Sequence, residues 1–205
     1  RVQEKIEKLS VADALRAIRF AECVVVLIDA TLPIERQDLA LCDLVAREGR
    51  AVVLALSKWD AVEDKPHTLR EVESKMEDVL PEIRGVPVVT LSAQQGRGID
   101  KLMKAVLDAD RRWNMRVTTS KLNRWLEGAL ERNAPPAPSG RRIKIRYATQ
   151  ANARPPTFAI FGNQLNKLPE SYLRYLMNGL RSDFGLDGVP IRFALRGGKN
   201  PYEDK

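Results

Sequence analysis

Three short apolar runs in the first hundred residues constrain the fold of this chain more than any other feature. Cys23-Val-Val-Val-Leu-Ile28 ends at Asp29. Ala51-Val-Val-Leu-Ala-Leu56 runs into Ser57-Lys-Trp-Asp60, and Pro87-Val-Val-Thr-Leu91 into Ser92-Ala93. A run that is apolar at successive positions, rather than at alternate ones, suits a strand covered on both faces, as strands of parallel sheets are. Between the runs, apolar residues recur at helical spacing. The pattern predicts a helix from about Glu35 to Arg47, stopped at Gly49. A second helix is signalled by the capping-box spacing Thr68-Leu-Arg-Glu71, with Leu69, Val72, Met76 and Val79 behind it. On this reading His67 is a loop residue just before the Thr68 cap. A last helix carries Ile99, Leu102, Met103, Val106 and Leu107 on one face. Ser10 to Asp13 has the same capping-box spacing, ahead of Ala14, Leu15 and Ile18. Strand and helix in alternation imply right-handed crossovers and a doubly wound α/β sheet. Ligands of such sheets bind beyond the carboxyl ends of the strands. Here that edge gathers Asp29, Ser57 to Asp60, and Ser92-Ala93. Asp29 alone reads as a turn residue rather than a hydrolytic group.

Charge divides the chain in two. The formal net charge is +7. Residues 1–115 carry 18 Lys and Arg against 20 Asp and Glu, and residues 116–205 carry 16 against 7. All the positive excess therefore belongs to the second part, which suggests a polyanionic partner, RNA foremost. A basic face that merely keeps the domain in solution is the plainer alternative. We place a domain boundary near residues 112–118, giving domains 1–115 and 116–205.

In the second part, a helix is predicted from about Thr118 to Arg132, burying Leu122, Trp125, Leu126, Ala129 and Leu130. The proline-rich stretch from Asn133 to Gly140 reads as an exposed loop. Ile143, Ile145 and Tyr147 alternate with Lys144 and Arg146, predicting a half-buried strand with a basic outer face. Strands follow at Thr157 to Phe161 and along Val189, Ile191, Phe193 and Leu195. Between them lies a helix started by Pro169 and ended by Gly185. The order α-β-β-α-β describes a small α+β domain. Tyr172, Tyr175, Phe158 and Phe161 are read as core residues rather than base-stacking ones.

The loop Ser57-Lys58-Trp59-Asp60 offers one defined chemistry. Guanine presents an N1–H and an exocyclic amino group side by side, and a carboxylate accepts both in a charge-assisted pair. Adenine lacks that donor pair, so Asp60 would select guanine. The Lys58 stem lies along the base plane while its ammonium satisfies loop oxygens. A backbone N–H of Ser92-Ala93 reaches the guanine carbonyl oxygen. Lys-x-Asp alone is a weak signal. At one strand end, with Ser-Ala at the next, the pair gains specificity.

These residues also carry a resemblance. Leu56-Ser-Lys-Trp-Asp60 resembles the Asn-Lys-x-Asp guanine-specificity motif of translation-factor-type GTPases, and Leu91-Ser-Ala93 resembles their last motif. The second part is similar to one family more narrowly. The match runs through Tyr147-Ala-Thr-Gln150, Arg154-Pro-Pro-Thr-Phe158, Leu168-Pro-Glu-Ser-Tyr-Leu-Arg-Tyr-Leu176, Gly188-Val-Pro-Ile-Arg192 and Gly198-Lys-Asn-Pro-Tyr202. Together these resemble the EngA (Der) family of bacterial ribosome-assembly GTPases, with two tandem GTPase domains and a C-terminal KH-like domain. The resemblance implies that residues 1–115 are the later part of a P-loop GTPase domain and that 116–205 are the KH-like domain. It also implies a GTP/GDP site at Ser57, Lys58, Trp59, Asp60, Ser92 and Ala93, and a role in assembly of the large ribosomal subunit.

The sequence departs from the family in two places. Ser57 stands where the motif has Asn, whose amide bonds the base and ties this loop to the phosphate-binding loop. The chain also contains no Gly-x-x-x-x-Gly-Lys-Ser/Thr and no Asp-x-x-Gly. It therefore holds no backbone cradle for phosphates and no magnesium-binding hydroxyl. The expectation is a fragment that is inactive alone, with GTP hydrolysis and Mg2+ belonging to the complete protein. No residue is assigned a catalytic role and no metal site is expected.

KH domains clamp nucleic-acid backbones on a Gly-x-x-Gly loop with basic residues inside. Gly185-Leu-Asp-Gly188 has the spacing but carries an aspartate, and reads as a helix C-cap and turn. RNA or ribosome contact then falls to basic strand faces and loops: Arg141, Arg142, Lys144, Arg146, Arg154 and Lys199. Nucleotide-independent binding of RNA or the ribosome, with the α/β part as a non-catalytic scaffold, is the alternative function. No segment is apolar for the ~18 residues a membrane span needs, no signal peptide is visible, and Cys23 and Cys42 read as reduced core residues. The expected setting is a monomer in the cytoplasm.

Overall fold

The computed structural model describes residues 13–80, 83–137 and 143–197. They divide into two units. The first runs to Trp113 and includes Asp187–Pro190; the second takes Asn114–Leu186 and the chain from Ile191 on. Mixed α/β architecture with a parallel sheet in the first unit agrees with the fold class expected from the sequence.

The first unit opens with helical residues 13–20 (α1) and continues β1 (Cys23–Asp29), α2 (Arg36–Arg47), β2 (Ala51–Ser57), α3 (Lys65–Val79), β3 (Val88–Thr90) and α4 (Ile99–Trp113). The three strands lie in the order β1-β2-β3 and all pairs are parallel. β2 is central and fully buried from Ala51 to Leu56, as a strand covered on both faces must be. Leu54 and Leu56 pack with Leu39, Cys42 and Val45 of α2 and with Val72 of α3. Each such side chain contributes about 1.5–3 kcal/mol through burial. The thiol of Cys42 is pushed up to about 12 by that burial, and both cysteines are free. α4 is anchored at its end, where the Trp113 indole N–H donates to the Gly49 carbonyl at 2.8 Å.

One helix start departs from expectation. Asp64, not Thr68, caps α3, accepting from the His67 amide at 3.0 Å. Thr68 sits one turn in, its hydroxyl donating to the Asp64 carbonyl. His67 is therefore helical rather than a loop residue. The reason is Pro66, whose fixed φ suits a helix's first turn and moves the start upstream. Ser10 lies outside the described residues.

The second unit contains α5 (Thr119–Arg132), β4 (Lys144–Asn152), β5 (Thr157–Asn163), α6 (Glu170–Phe184) and β6 (Arg192–Gly197), the expected α-β-β-α-β order. β5 is central, antiparallel to β4 and parallel to β6. Ala148, Phe158 and Ile160 of the sheet are buried, as are Leu122 and Leu126 of α5 and Leu176 and Leu180 of α6. Gln150 is buried too, and clamps the chain before α5. Its side chain accepts from the Val117 amide at 2.7 Å and donates to the Met115 carbonyl at 2.9 Å. Asn123 of α5 completes the β4 backbone by bonding both the amide and the carbonyl of Ala148 at 2.8 Å.

The alternation expected for β4 breaks in its middle. A register shift lies between Ile145 and Tyr147. Ile143 and Ile145 are buried as expected, but Tyr147 is 46% exposed and Ala148 takes the inward position. A bulge inserts one unpaired residue and so flips every later side chain to the other face. The final strand is also shorter than its apolar alternation, for Val189 and Ile191 are buried ahead of Arg192, where β6 begins. Gly185 ends α6 in the left-handed conformation (φ 63°), and the Gly188 amide donates to the Arg84 carbonyl at 2.9 Å. Gly185 to Gly188 is thus a cap and turn, as read from the sequence.

Candidate functional site

The parallel pairing of the first unit brings its three strand ends side by side. Asp29 is in register with Ser57, and Leu56 with Thr90. Beyond β2 the chain turns sharply, with Lys58 in the left-handed conformation (φ 54°) and a single 3-10 turn over Trp59–Ala61. Two bonds fix that turn. The Trp59 amide donates to the Leu91 carbonyl at 3.1 Å, and the Lys58 ammonium pairs with Asp29 at 2.6 Å. Asp29 also accepts from the amide and hydroxyl of Thr31, at 3.0 and 2.7 Å. These bonds, led by the one from Lys58, hold its carboxyl down at about 2. Asp29 is therefore more than a turn residue, because it anchors the strained lysine.

Asp60 follows on the same turn. A hydrogen bond from the Ser92 side chain, aided by the Asp60 backbone N–H and the charge of Lys65, holds its carboxyl below the usual range. Ser92 is buried and its hydroxyl accepts from the Gln95 amide at 3.2 Å. Its backbone exchanges two bonds with Arg97, at 2.9 and 3.0 Å. The Ser92 N–H is thereby taken up, so the N–H available to a ligand from this pair is that of exposed Ala93. Gly98 closes the loop at φ 86°. A Cβ there would collide with the Thr90 carbonyl and lie 2.9 Å from the Leu91 Cα, so only glycine lets the loop fold back onto β3.

The result is a cleft of about 280 Å³ lined by Trp59, Asp60, Lys65, Ser92, Gln95, Arg97, Gly98 and Lys101. That is at the small end of ligand pockets, roughly 300–1,000 Å³, and fits a flat heterocycle rather than a whole nucleotide. Its ionised carboxylate is a pure acceptor, suited to a base edge with two adjacent N–H donors. The residues present therefore fit the base of a guanine nucleotide. They do not fit magnesium. Asp29 is engaged by Lys58 and Thr31, and no three His, Cys, Asp or Glu side chains gather among the described residues.

The sequence-predicted residues fall into three sets. Trp59, Asp60 and Ser92 come together around the cleft, with the Trp59 ring also packed on the core; Ala93 is exposed next to Ser92 but is not part of the cleft lining. Ser57 behaves otherwise: its hydroxyl donates to the Ile28 carbonyl at 2.9 Å, bracing β1 against β2. The Lys58 ammonium, expected to satisfy oxygens of its own loop, instead pairs with Asp29 at the end of β1. Gln95, Arg97 and Lys101 were missed by sequence reasoning, although Gly96 and Gly98, both at positive φ, mark the tight loop that delivers them.

The basic candidates do not form one cluster. Lys144 and Arg146 are exposed at the start of β4. Arg154 is exposed in the turn beyond its end, roughly 30 Å away at 3.3 Å per residue. Arg141, Arg142 and Lys199 lie outside the described residues. Of the aromatics, Phe158 and Tyr172 are core, and the Tyr172 and Tyr175 hydroxyls donate to the Asn133 and Ala129 carbonyls. Phe161 is not core: it lies half-buried and stacked on Tyr147, with ring centroids 4.3 Å apart and planes 6° from parallel. Among the described residues no helix is long and apolar enough to cross a membrane.

Comparison with known proteins finds two family profiles along the chain. Residues 11–110 match the family profile described as the elongation factor Tu GTP binding domain. Residues 116–196 match that of the KH-domain-like region of EngA bacterial GTPase enzymes, C-terminal. The chain is 56% identical over 207 residues to a GTPase Der of Ruegeria pomeroyi, and 57% identical over 205 residues to that of Rhizobium etli. Each match covers the whole chain but only 42% and 43% of the relative. Among solved structures, Era of Aquifex aeolicus bound to GDP and aluminium fluoride aligns with 91% of this chain and 69% of its own. Its identity of 16% and TM-score of 0.41 are too low to carry an argument. With curated relatives matching along its entire length, this chain belongs to the EngA (Der) family of GTPases.

Proposed function

We propose that the first unit holds the base of GTP or GDP, with Asp60 accepting from N1–H and the exocyclic amine and Ala93 N–H donating to the guanine oxygen. The observation that carries this reading is the ionised Asp60 facing a base-sized cleft, buttressed by Ser92 from the next strand. In the protein at its full natural length, the phosphates and magnesium are held by segments outside these 205 residues, where GTP is hydrolysed. The basic second unit contacts RNA of the large ribosomal subunit, and nucleotide state times that association during subunit assembly in the cytoplasm. The name GTPase Der carried by the relatives supports the nucleotide half of this reading. The charge of residues 116–205 supports the RNA half.

The test is Asp60→Asn in the full-length protein, read by equilibrium binding of GDP and XDP. An amide offers one acceptor and one donor, which suits xanthine's 2-oxo group better than guanine's amine. Loss of GDP affinity by about tenfold or more, the order of one charge-assisted pair at ~1.5–3 kcal/mol, with a gain for XDP is expected. Unchanged preference would remove Asp60 from the base site. A second reading keeps the α/β unit as scaffold for nucleotide-independent binding, and the absence of a Gly-x-x-x-x-Gly-Lys-Ser/Thr motif from this sequence favours it for these residues taken alone.

A further inference from the structure

The two faces of the second unit's sheet are unlike. One is covered by α5 and α6; the other carries Tyr147, Phe161 and Arg196 as cross-strand neighbours in one row. The bulge before Tyr147 creates this row, since without it Tyr147 would point the way Ile145 does. Phe161 covers one side of the Tyr147 ring, while 46% of the tyrosine stays exposed. The stacked pair braces β4 against β5, as cross-strand aromatic pairs do, and it presents a flat π-face to solvent.

The surroundings of the pair fit a polyanion with flat bases. The next row on this face is Thr149, Ala159 and Ala194, small side chains of which Ala159 is buried and Thr149 has its hydroxyl 3.4 Å from that of Thr119 in α5. The row beyond is Thr157 and exposed Arg192, about 13 Å along β6 from Arg196 at 3.3 Å per residue. Lys144 is exposed at the end of the face nearest the rings. None of the residues in these rows is acidic. Stacking platforms flanked by positive charge bind single strands, because every base has a π-face and the backbone supplies the charge. Duplexes keep their base faces stacked on one another and offer nothing to Tyr147.

We propose that this open sheet face is a single-stranded RNA platform, on which Tyr147 and Phe161 stack an unpaired base and Arg196 and Arg192 hold the adjoining phosphates. The proposal rests on the RNA-binding half of the reading above and gives that half a surface and a preferred form of RNA. It differs from the basic residues picked from sequence; of those among the described residues, Lys144 borders this face near the rings.

The experiment is fluorescence anisotropy of the full-length protein with a 12-nucleotide single-stranded RNA and with a duplex of the same length, over a series of salt concentrations. The expected result is tighter binding of the single strand, weakened at least fivefold by Tyr147→Ala and restored by Tyr147→Phe. Tyr147→Ala leaves the slope of affinity against salt unchanged, whereas Arg196→Ala lowers it by about one ion. Thermal melts followed by circular dichroism confirm that each variant folds. If the single strand binds but Tyr147→Ala and Arg196→Ala change nothing, the platform is overturned and the RNA reading survives elsewhere on the unit. If neither RNA binds, both fail together. If sedimentation shows that wild type self-associates and Tyr147→Ala does not, the face joins copies of the chain and the RNA platform is likewise overturned.

Discussion

The two sheets of this protein are both three-stranded, yet they use their faces in opposite ways. In the first unit the central strand is buried on both sides, although β1 beside it leaves Val25 and Leu27 exposed on one face. Binding chemistry is pushed to the strand ends, where backbone turns deliver Asp60 and Ser92. In the second unit helices cover one face only, and the other is left to display Tyr147, Phe161 and two arginines. The difference teaches where to look: a doubly covered sheet acts through its carboxyl edge, and a half-covered sheet acts through its open side.

The largest test of that contrast is the cost of emptying each sheet. Leu54→Ala should destabilise by about 2–5 kcal/mol, as cavity-forming substitutions in close-packed cores do. Val53→Ala, on the opposite face of the same strand, should also cost about 1.5 kcal/mol or more. In the second unit, Phe158→Ala on the covered face should cost about 3–5 kcal/mol. Thr157→Ala on the open face, which loses the hydroxyl's bond to the Pro155 carbonyl, should cost only about 0.5–1.5 kcal/mol. Urea unfolding of the four variants reads this directly, and equal costs on the two faces of β5 would erase the distinction drawn here.

A smaller effect is expected at the loop that closes the cleft. Gly98→Ala places a methyl against the Thr90 carbonyl at a positive φ, a strain of roughly 1–3 kcal/mol. Because the same loop carries Ser92 and Ala93, this variant should also weaken guanine nucleotide binding in the full-length protein. Gly96→Ala, with open space around the added carbon, should disturb the cleft less.

The smallest effect concerns Asp29 and Lys58, both exposed enough for water to screen them. The Asp29 carboxyl is held near 2, below the usual value of about 3.9. A lowered folded-state value means the link is fully present above about pH 4 and is lost as pH falls toward 2. Carboxyl chemical shifts across an acid titration should therefore show a midpoint near 2 for Asp29. Lys58→Ala should move that midpoint up toward the ordinary value, because its first cause is removed. A midpoint that stays put would mean Thr31 alone holds the carboxylate.

Much of this molecule was legible as sequence. The apolar runs placed β1, β2 and β3 within a residue or so, because a strand covered on both faces, as β2 is, needs an unbroken apolar run. Asp60 and Ser92 could be assigned to one edge for the same reason: parallel strands put all their carboxyl ends together. The start of α3 was misread because Asp64 and Pro66 competed with a second capping pattern that begins at Thr68, four residues after Asp64, and local patterns do not say which cap is used. The links from Lys58 to Asp29 and from Ser57 to the Ile28 carbonyl join residues 29 apart, so no local spacing could announce them.

What the sequence determined by itself was therefore the periodicity of each element, the charge division between the two parts, and the residue types available at each strand end. Those follow from burial and valence, which act residue by residue. Tertiary structure alone decided that Tyr147 faces out, that Arg196 stands beside Phe161, and that Ser57 turns to Ile28 while Ser92 turns to Asp60. Each of these depends on register between segments far apart in the chain, and a single bulged residue in β4 was enough to turn a side chain read as core into the centre of a surface.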